Sequence, residues 1–399
     1  DLDAAIANTT SISVSGTSNL GANVTTSGTQ TYTGATTLSG GDRTLTGSTM
    51  NFGSTVAGGS NALAISGNLD LDGAATGLTS LTVSGTSNLG ANVTTSGIQT
   101  YTGATTLSGG DRTLTGSTIT ITSTLAGGNN ALVITGDLEI DDDATGLSTL
   151  SVSGTTDLGG DVTTSGTQTY TGAVTLSTGD RTLTGSTVNF VSAVAGGTNA
   201  LTITGNLDLD DTASGISTLS VSGTSNLGAN VTTSGTQTYT GATTLSGGDR
   251  TLEGSTVNFG NTLTGTGSHD LTITGNLDLD GALTSVVDLS VSGTSNLGAN
   301  VTTSGTQTYT GATTLSGGDR TLTGTTMNFG STMTGTASHD LTVTGNLDLD
   351  GALTSVVDLS VSGTSNLGAN VTPSGTQTYT GATTLSGGDR TLTGTTVNF

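Results

Sequence analysis

Apolar and polar residues alternate over short stretches along the whole chain. Leu63-x-Ile65, Leu69-x-Leu71 and Leu81-x-Val83 are examples, and Gly, Asn, Asp and Ser lie between such stretches. A period of two residues is typical of a β-strand, because successive side chains point to opposite faces. No stretch has helical spacing, and the many Gly, Thr and Val residues disfavour a helix. The pattern predicts an all-β protein of short strands joined by frequent turns.

This pattern recurs at a fixed period. The surroundings of one tyrosine are repeated at steps of 69, 69, 69, 70 and 70 residues, at Tyr32, Tyr101, Tyr170, Tyr239, Tyr309 and Tyr379. Self-similarity of this kind, in units too poor in apolar residues to fold alone, is typical of a solenoid. We predict a parallel β-solenoid (β-helix) of stacked repeats, with about three coils of about 23 residues in each repeat. Equivalent residues of successive repeats are expected to stack, namely Phe52, Phe190, Phe259, Phe329 and Phe399.

The repeats predict one continuous solenoid array over residues 1–399. Its units are approximately 14–82, 83–151, 152–220, 221–290, 291–360 and a partial 361–399, with 1–13 as the end of a preceding unit. Both ends fall inside a repeat, so we expect the chain to be a piece of a longer array.

Composition narrows the classes of partner. The formal charge is -23, from 29 acidic residues and six Arg, with no Lys. Nucleic acids and anionic membranes are bound through clustered Lys and Arg, so we expect no nucleic-acid partner. No apolar run is long enough to span a bilayer, so we expect no membrane insertion in this segment. Cysteine is absent, which excludes disulfides and thiolate metal sites.

Acidic residues recur on one strand of each repeat, as at Asp70 and Asp72. Alternation places them on the solvent face, where they keep the surface hydrated. Oxygen-rich turns also bind calcium, and Asp141, Asp142 and Asp143 form the densest such group. These three residues are the candidate calcium ligands, and no other cofactor is expected.

The turn around Asp42-Arg43 carries the only cation of its repeat and recurs in every copy. It is interpreted either as a weak surface ion pair or as a contact that sets the register between repeats. Asn-Val-Thr at Asn23, Asn92, Asn230 and Asn300 fits the acceptor rule for N-glycans, although such matches arise easily by chance in this composition.

Two segments contain the letters of a hydrolase triad, Ser268-His269-Asp270 and Ser338-His339-Asp340. Contiguous strand residues alternate between faces and cannot align a nucleophile, a base and an acid. Near-identical copies also provide no unique constellation of polar residues. We therefore expect no enzyme activity and no catalytic residue.

The block from Thr95 to Leu107, followed by Arg112-Thr-Leu-Thr-Gly116, resembles the repeats of giant secreted bacterial surface adhesins of the filamentous-haemagglutinin-like or autotransporter type. The resemblance covers essentially the whole chain. It implies a right-handed β-solenoid stalk, exported to the cell surface or extracellular matrix, that acts in attachment or cohesion. The implied partners are other copies of the chain, end to end or laterally, and glycans or proteins of host or neighbouring cells.

Two alternatives remain open. Short strand-turn repeats are also similar to the shafts of phage tail fibres, in which three chains share one core. Unpaired strand edges could instead make the chain a self-polymerising filament subunit.

Overall fold

The structure, a computed structural model, describes residues 1–335 and 339–399. The chain forms two compact units, Asp1–Asn199 and Ala200–Phe399. Each unit is a parallel β-solenoid with turns of about 19 residues, and no helix occurs in the described ranges. The predicted fold class is therefore confirmed. The repeat boundaries and the single continuous array stay predictions.

The strands are short, and most contain three or four residues. Those of the first unit are Ile6–Thr9, Ile12–Val14, Ser18–Leu20, Val24–Thr26, Gln30–Tyr32, Thr36–Leu38, Arg43–Phe52, Val56–Leu71, Ala75–Val83, Ser87–Leu89, Val93–Thr95, Gln99–Tyr101, Thr105–Leu107, Arg112–Ile121, Leu125–Ala126, Leu132–Ile140, Ala144–Leu147, Leu150–Val152, Thr156–Leu158, Val162–Thr164, Thr167–Tyr170, Val174–Leu176, Arg181–Phe190 and Val194–Ala195.

The second unit follows the same scheme. Its strands are Leu201–Leu209, Ala213–Ile216, Leu219–Val221, Ser225–Leu227, Val231–Thr233, Thr236–Tyr239, Thr243–Leu245, Arg250–Phe259, Leu263–Gly265, Leu271–Leu279, Leu283–Val286, Leu289–Val291, Ser295–Leu297, Val301–Thr303, Thr306–Tyr309, Thr313–Leu315, Arg320–Phe329, Met333–Gly335, Leu341–Leu349, Leu353–Thr354, Leu359–Val361, Ser365–Leu367, Val371–Thr372, Thr376–Tyr379, Thr383–Leu385 and Thr396–Asn398.

Each turn is shorter than the sequence suggested. One ladder joins Val14 to Tyr32, Tyr32 to Phe52, Phe52 to Leu71 and Leu71 to Leu89, so successive turns contain 18, 20, 19 and 18 residues. The predicted coil of about 23 residues is wrong, as is the figure of about three coils per repeat. A repeat makes three full turns and then two of the three sides of a fourth.

The glycines that mark the corners show where the extra sides come from. A Cβ on Gly67 would meet Gly47 O, one on Gly85 would meet Gly67 O, and one on Gly116 would meet Gly97 O, so these pairs stack directly. Gly97, in contrast, lies two sides further around the coil than Gly85. The backbones approach so closely at these corners that only glycine fits; a Cβ on Gly34 would lie 2.4 Å from Gly16 O.

Equivalent residues consequently do not stack. The ladder through Tyr32 continues to Leu71 and Leu89, whereas Tyr101 pairs with Val83 on a second ladder and Tyr170 lies on a third. The three tyrosines of the second unit are distributed in the same way. Each repeat is therefore displayed on the next face of its unit.

The expected stacking of phenylalanine on phenylalanine is also wrong. Phe52 stacks on Tyr32 of its own repeat, with ring centroids 5.3 Å apart and planes at 15°. The other four pairs are Tyr170–Phe190, Tyr239–Phe259, Tyr309–Phe329 and Tyr379–Phe399.

The core of each unit lies between its three faces. Inward-facing Leu, Val and Ile are almost fully buried, and outward residues such as Asp70 between Leu69 and Leu71 keep contact with solvent. The 70-residue repeats place their extra residue in a loop, because Arg250 pairs with Leu271 where Arg43 pairs with Leu63. The strands on either side keep their register.

Candidate functional site

The arginine of each repeat is buried. Arg43, Arg112, Arg250 and Arg320 are each 8% exposed. In the first copy, Nε donates to Leu20 O of the preceding turn at 2.9 Å and the guanidinium also donates to Asp42 O and Ser39 O. The interpretation as a surface ion pair is wrong for these copies, because the guanidinium binds backbone carbonyls inside the corner.

Burial also changes the acidity of this group. Desolvation lowers the pKa of Arg250 and of Arg320, and the neighbouring Asp249 and Asp319 partly oppose it. The arginine of the third copy differs, since Arg181 lies 3.7 Å from Asp161 in an ion pair.

The aspartate beside each arginine faces the following turn. Asp42 Oδ1 accepts a hydrogen bond from Ala62 N at 2.8 Å, and Asp111 Oδ1 does the same for Ala131 N. Arg43 reaches the preceding turn and Asp42 the next one, so this dipeptide joins three successive turns. The contact agrees with the register role that the sequence left open.

A second polar group lies in the core, and the sequence analysis missed it. Tyr32 OH donates to Gln30 Oε1 at 2.9 Å, and Gln30 Nε2 donates to Val24 O and to Thr46 O of the next turn, at 3.1 and 2.8 Å. Thr26 Oγ1 donates to Gly28 O. We call Thr26, Gln30, Tyr32 and their equivalents the glutamine cluster.

The glutamine cluster recurs in all six copies. Its glutamines are Gln30, Gln99, Gln168, Gln237, Gln307 and Gln377, and each is 0% exposed. Burial raises the pKa of the tyrosines, to about 12 at Tyr32 and further at the other five. Only the threonine varies, because Pro373 takes its place in the last copy, where Gln377 Nε2 still donates to Val371 O and Thr393 O.

The acidic strands form ladders with the next turn. Asn88 Nδ2 donates to Asp70 Oδ1 at 2.8 Å, and the same contact joins Asn226 to Asp208, Asn296 to Asp278 and Asn366 to Asp348. Desolvation, with the charge of Asp208 as a smaller cause, raises the pKa of Asp210. One copy differs, since Glu139 pairs in register with Asp157.

The candidate calcium ligands Asp141, Asp142 and Asp143 are exposed. Asp142 Oδ1 accepts Asp143 N at 2.8 Å, and Asp143 Oδ1 accepts Asp161 N of the next turn at 3.0 Å. Within 1–335 and 339–399, no three His, Asp or Glu residues are grouped so as to hold a metal ion. Calcium binding stays a prediction; an unchanged melting temperature on adding a chelator would remove it.

The asparagines of the Asn-Val-Thr segments cap the following turn. Asn92 Oδ1 accepts Thr113 N at 2.9 Å. In the third copy Asp161 occupies this position, and its Oδ1 accepts Thr182 N at 2.9 Å. An acceptor oxygen therefore accounts for the residue at this position without a glycan.

The triad-like segment of the fourth copy makes other contacts. His269 Nδ1 lies 3.8 Å from Asp249 Oδ1 in a neighbouring turn, while Asp270 Oδ1 accepts Asp288 N at 3.1 Å. In the fifth copy His339 Nδ1 lies 3.8 Å from Asp319 Oδ1, and Ser338 lies outside the described residues. Histidine and aspartate thus serve different turns rather than one relay.

A scan against protein-family models, a search of curated proteins and a search of solved structures each found no match to this chain. No helix in the described part of the chain is long and apolar enough to cross a membrane. The identified class is accordingly that of the fold, a β-solenoid.

Proposed function

We propose that the chain is a non-catalytic structural segment of a fibre or stalk, located on a bacterial cell surface or in the extracellular matrix, where it supports adhesion or cohesion. The observation that carries this proposal is the use of the polar side chains. The arginine turn, the glutamine cluster and the asparagine caps all bond to neighbouring turns of the same unit.

The surface charge supports the same role. The chain has no Lys, and four of its six arginines are buried, so few positive charges remain to offset 29 acidic residues. Such a surface stays hydrated and repels phosphate backbones. The proposed partners are other copies of the chain and glycans or proteins of nearby cells.

The core favours a stalk made from one chain over a homotrimeric shaft. In a shared core, each chain alone would leave apolar residues uncovered. Here Tyr101, Leu114 and Ile134 are each 0% exposed within one unit. The self-polymerising filament remains the alternative, because stacking of copies would use the same ladder contacts.

Mass per unit length, measured by dark-field electron microscopy of the purified chain, tests this proposal. One strand spacing per turn of about 19 residues gives roughly 400 Da per Å for a single chain. Three times that value would contradict the single-chain stalk and favour the trimeric shaft.

Adhesion needs a separate test. Bacterial cells that display the chain on a neutral anchor are expected to cohere or attach more than cells that display the anchor alone. Equal attachment would contradict the adhesive part of the proposal and leave the chain as a spacer.

A further inference from the structure

The contacts between successive turns are of two kinds. Most inward pairs join Leu, Val or Ile, as in Leu71 on Leu89 or Ile65 on Val83, and such residues are nearly interchangeable. A turn displaced by one coil would keep most of this burial. One interface in each repeat is different, because it contains the glutamine cluster.

The fourth copy shows this interface in detail. Gln237 Nε2 donates to Val231 O of its own turn at 3.2 Å and to Glu253 O of the next turn at 2.7 Å. Tyr239 OH donates to Gln237 Oε1 at 3.0 Å. The amide is thus satisfied only when the backbone at Glu253 lies directly beside it.

The next turn also fits the cluster in shape. The ring of Tyr239 stacks on Phe259 with centroids 5.3 Å apart. A Cβ on Gly254 would lie 2.7 Å from Gly235 O and 2.8 Å from Thr233 Oγ1, so the facing corner must be glycine. The turn beyond it offers a different surface, with Leu279 in place of Phe259 and Gly275 at a φ of 133°.

We propose that the glutamine cluster selects the register between successive turns, so that near-identical coils stack in one order. A displacement by one coil would keep the apolar contacts but leave a buried amide without its carbonyl. An unpaired buried polar group is costly, and single buried polar residues fix register in other repetitive structures. A displacement by a whole repeat would meet an equivalent partner, but it must expel a loop of about seventy residues.

The cluster could instead stabilise the core without selecting a register. The two roles are separable because the native chain has no cysteine, so introduced pairs report which turns are neighbours. Thr238 faces outward and pairs with Asn258, which in turn pairs with Asp278. A disulfide needs Cα atoms within about 7 Å, which only adjacent turns provide.

The experiment uses two reporters in the full chain. Thr238→Cys with Asn258→Cys reports the native register, and Thr238→Cys with Asp278→Cys reports displacement by one coil. Each reporter is unfolded under reducing conditions, refolded and oxidised, and the disulfide is measured by mass spectrometry. The test variant carries Gln237→Leu and Tyr239→Phe, and Tyr239→Phe alone serves as a milder form if the double variant folds poorly.

Leu252→Ala is the matched control, because it weakens the same buried interface and leaves the glutamine cluster intact. We expect the displaced disulfide to rise about tenfold in the cluster variants, which corresponds to the loss of one or two buried hydrogen bonds. It should stay at background in Leu252→Ala. Equal displacement in the control, or none in the cluster variants, would overturn the proposal.

Discussion

The polar groups inside the units and those on their surfaces have diverged to different degrees. Gln30 and Gln307 lie in different units, yet the tyrosine hydroxyl donates to each at 2.9 and 3.0 Å. On the surface, the Asp70–Asn88 pair of one repeat becomes Glu139–Asp157 in the next.

Solvent explains this difference. A surface group that loses its partner can bond to water, whereas a buried one cannot and its desolvation cost remains. The interior groups must therefore keep both identity and geometry in every copy. Experiments that remove polar groups from the two regions should show effects of correspondingly different size.

The largest effect is expected from alkali, which acts on the interior alone. Burial raises the pKa of Tyr32 from its ordinary value of 10.0 to about 12, and raises those of the other five tyrosines too. The stabilisation is complete below the unfolded pKa and is lost as pH rises from about 10 through about 12. We expect cooperative unfolding in that range.

Phenolate absorbance and circular dichroism check this together. The chain lacks Lys and Cys, so tyrosine dominates the titration in this range. Both signals should change at the same pH. A rise in absorbance near pH 10 with unchanged dichroism would show that the phenols are accessible in the folded protein.

The next largest effect is expected from Arg112→Met. The change removes the donors to Leu89 O, Asp111 O and Ser108 O from a buried corner. We expect a loss of about 3 kcal/mol in the free energy of unfolding, measured in denaturant. Arg390→Met is the control: Arg390 lies in the last turn, is less buried and bonds to two carbonyls, so an equal loss there would contradict the role of burial.

The sequence predicted the fold class because the alternation of inward and outward residues is visible in it. It did not predict the coil length, since the twelve-residue step from Gly85 to Gly97 looks like the other glycine steps although it covers two sides only. The buried polar residues had a signal that was not used. Gln30-x-Tyr32 and Arg43-x-Leu45 follow the same alternation as the apolar pairs, which places the glutamine and the arginine inside.

A smaller effect is expected at the exposed caps. Asn92→Ala removes the acceptor for Thr113 N, and we expect a loss of about 1 kcal/mol in unfolding free energy. Asn92→Asp should change stability little, because Asp161 makes the equivalent bond in the third copy. If the aspartate variant were as unstable as the alanine variant, the oxygen acceptor would not be the feature that matters.

The smallest effect, of opposite sign, is expected on the outer surface. Glu139 and Asp157 place like charges opposite each other, where four other copies have an aspartate–asparagine pair. Asp157→Asn should stabilise the protein by about 0.5 kcal/mol at low ionic strength, and less in high salt. Asn88→Asp creates the like-charge pair in another copy and should destabilise by a similar amount. Thermal unfolding of both variants in low and high salt measures this; shifts of the same sign would mean that surface pairs are governed by packing rather than charge.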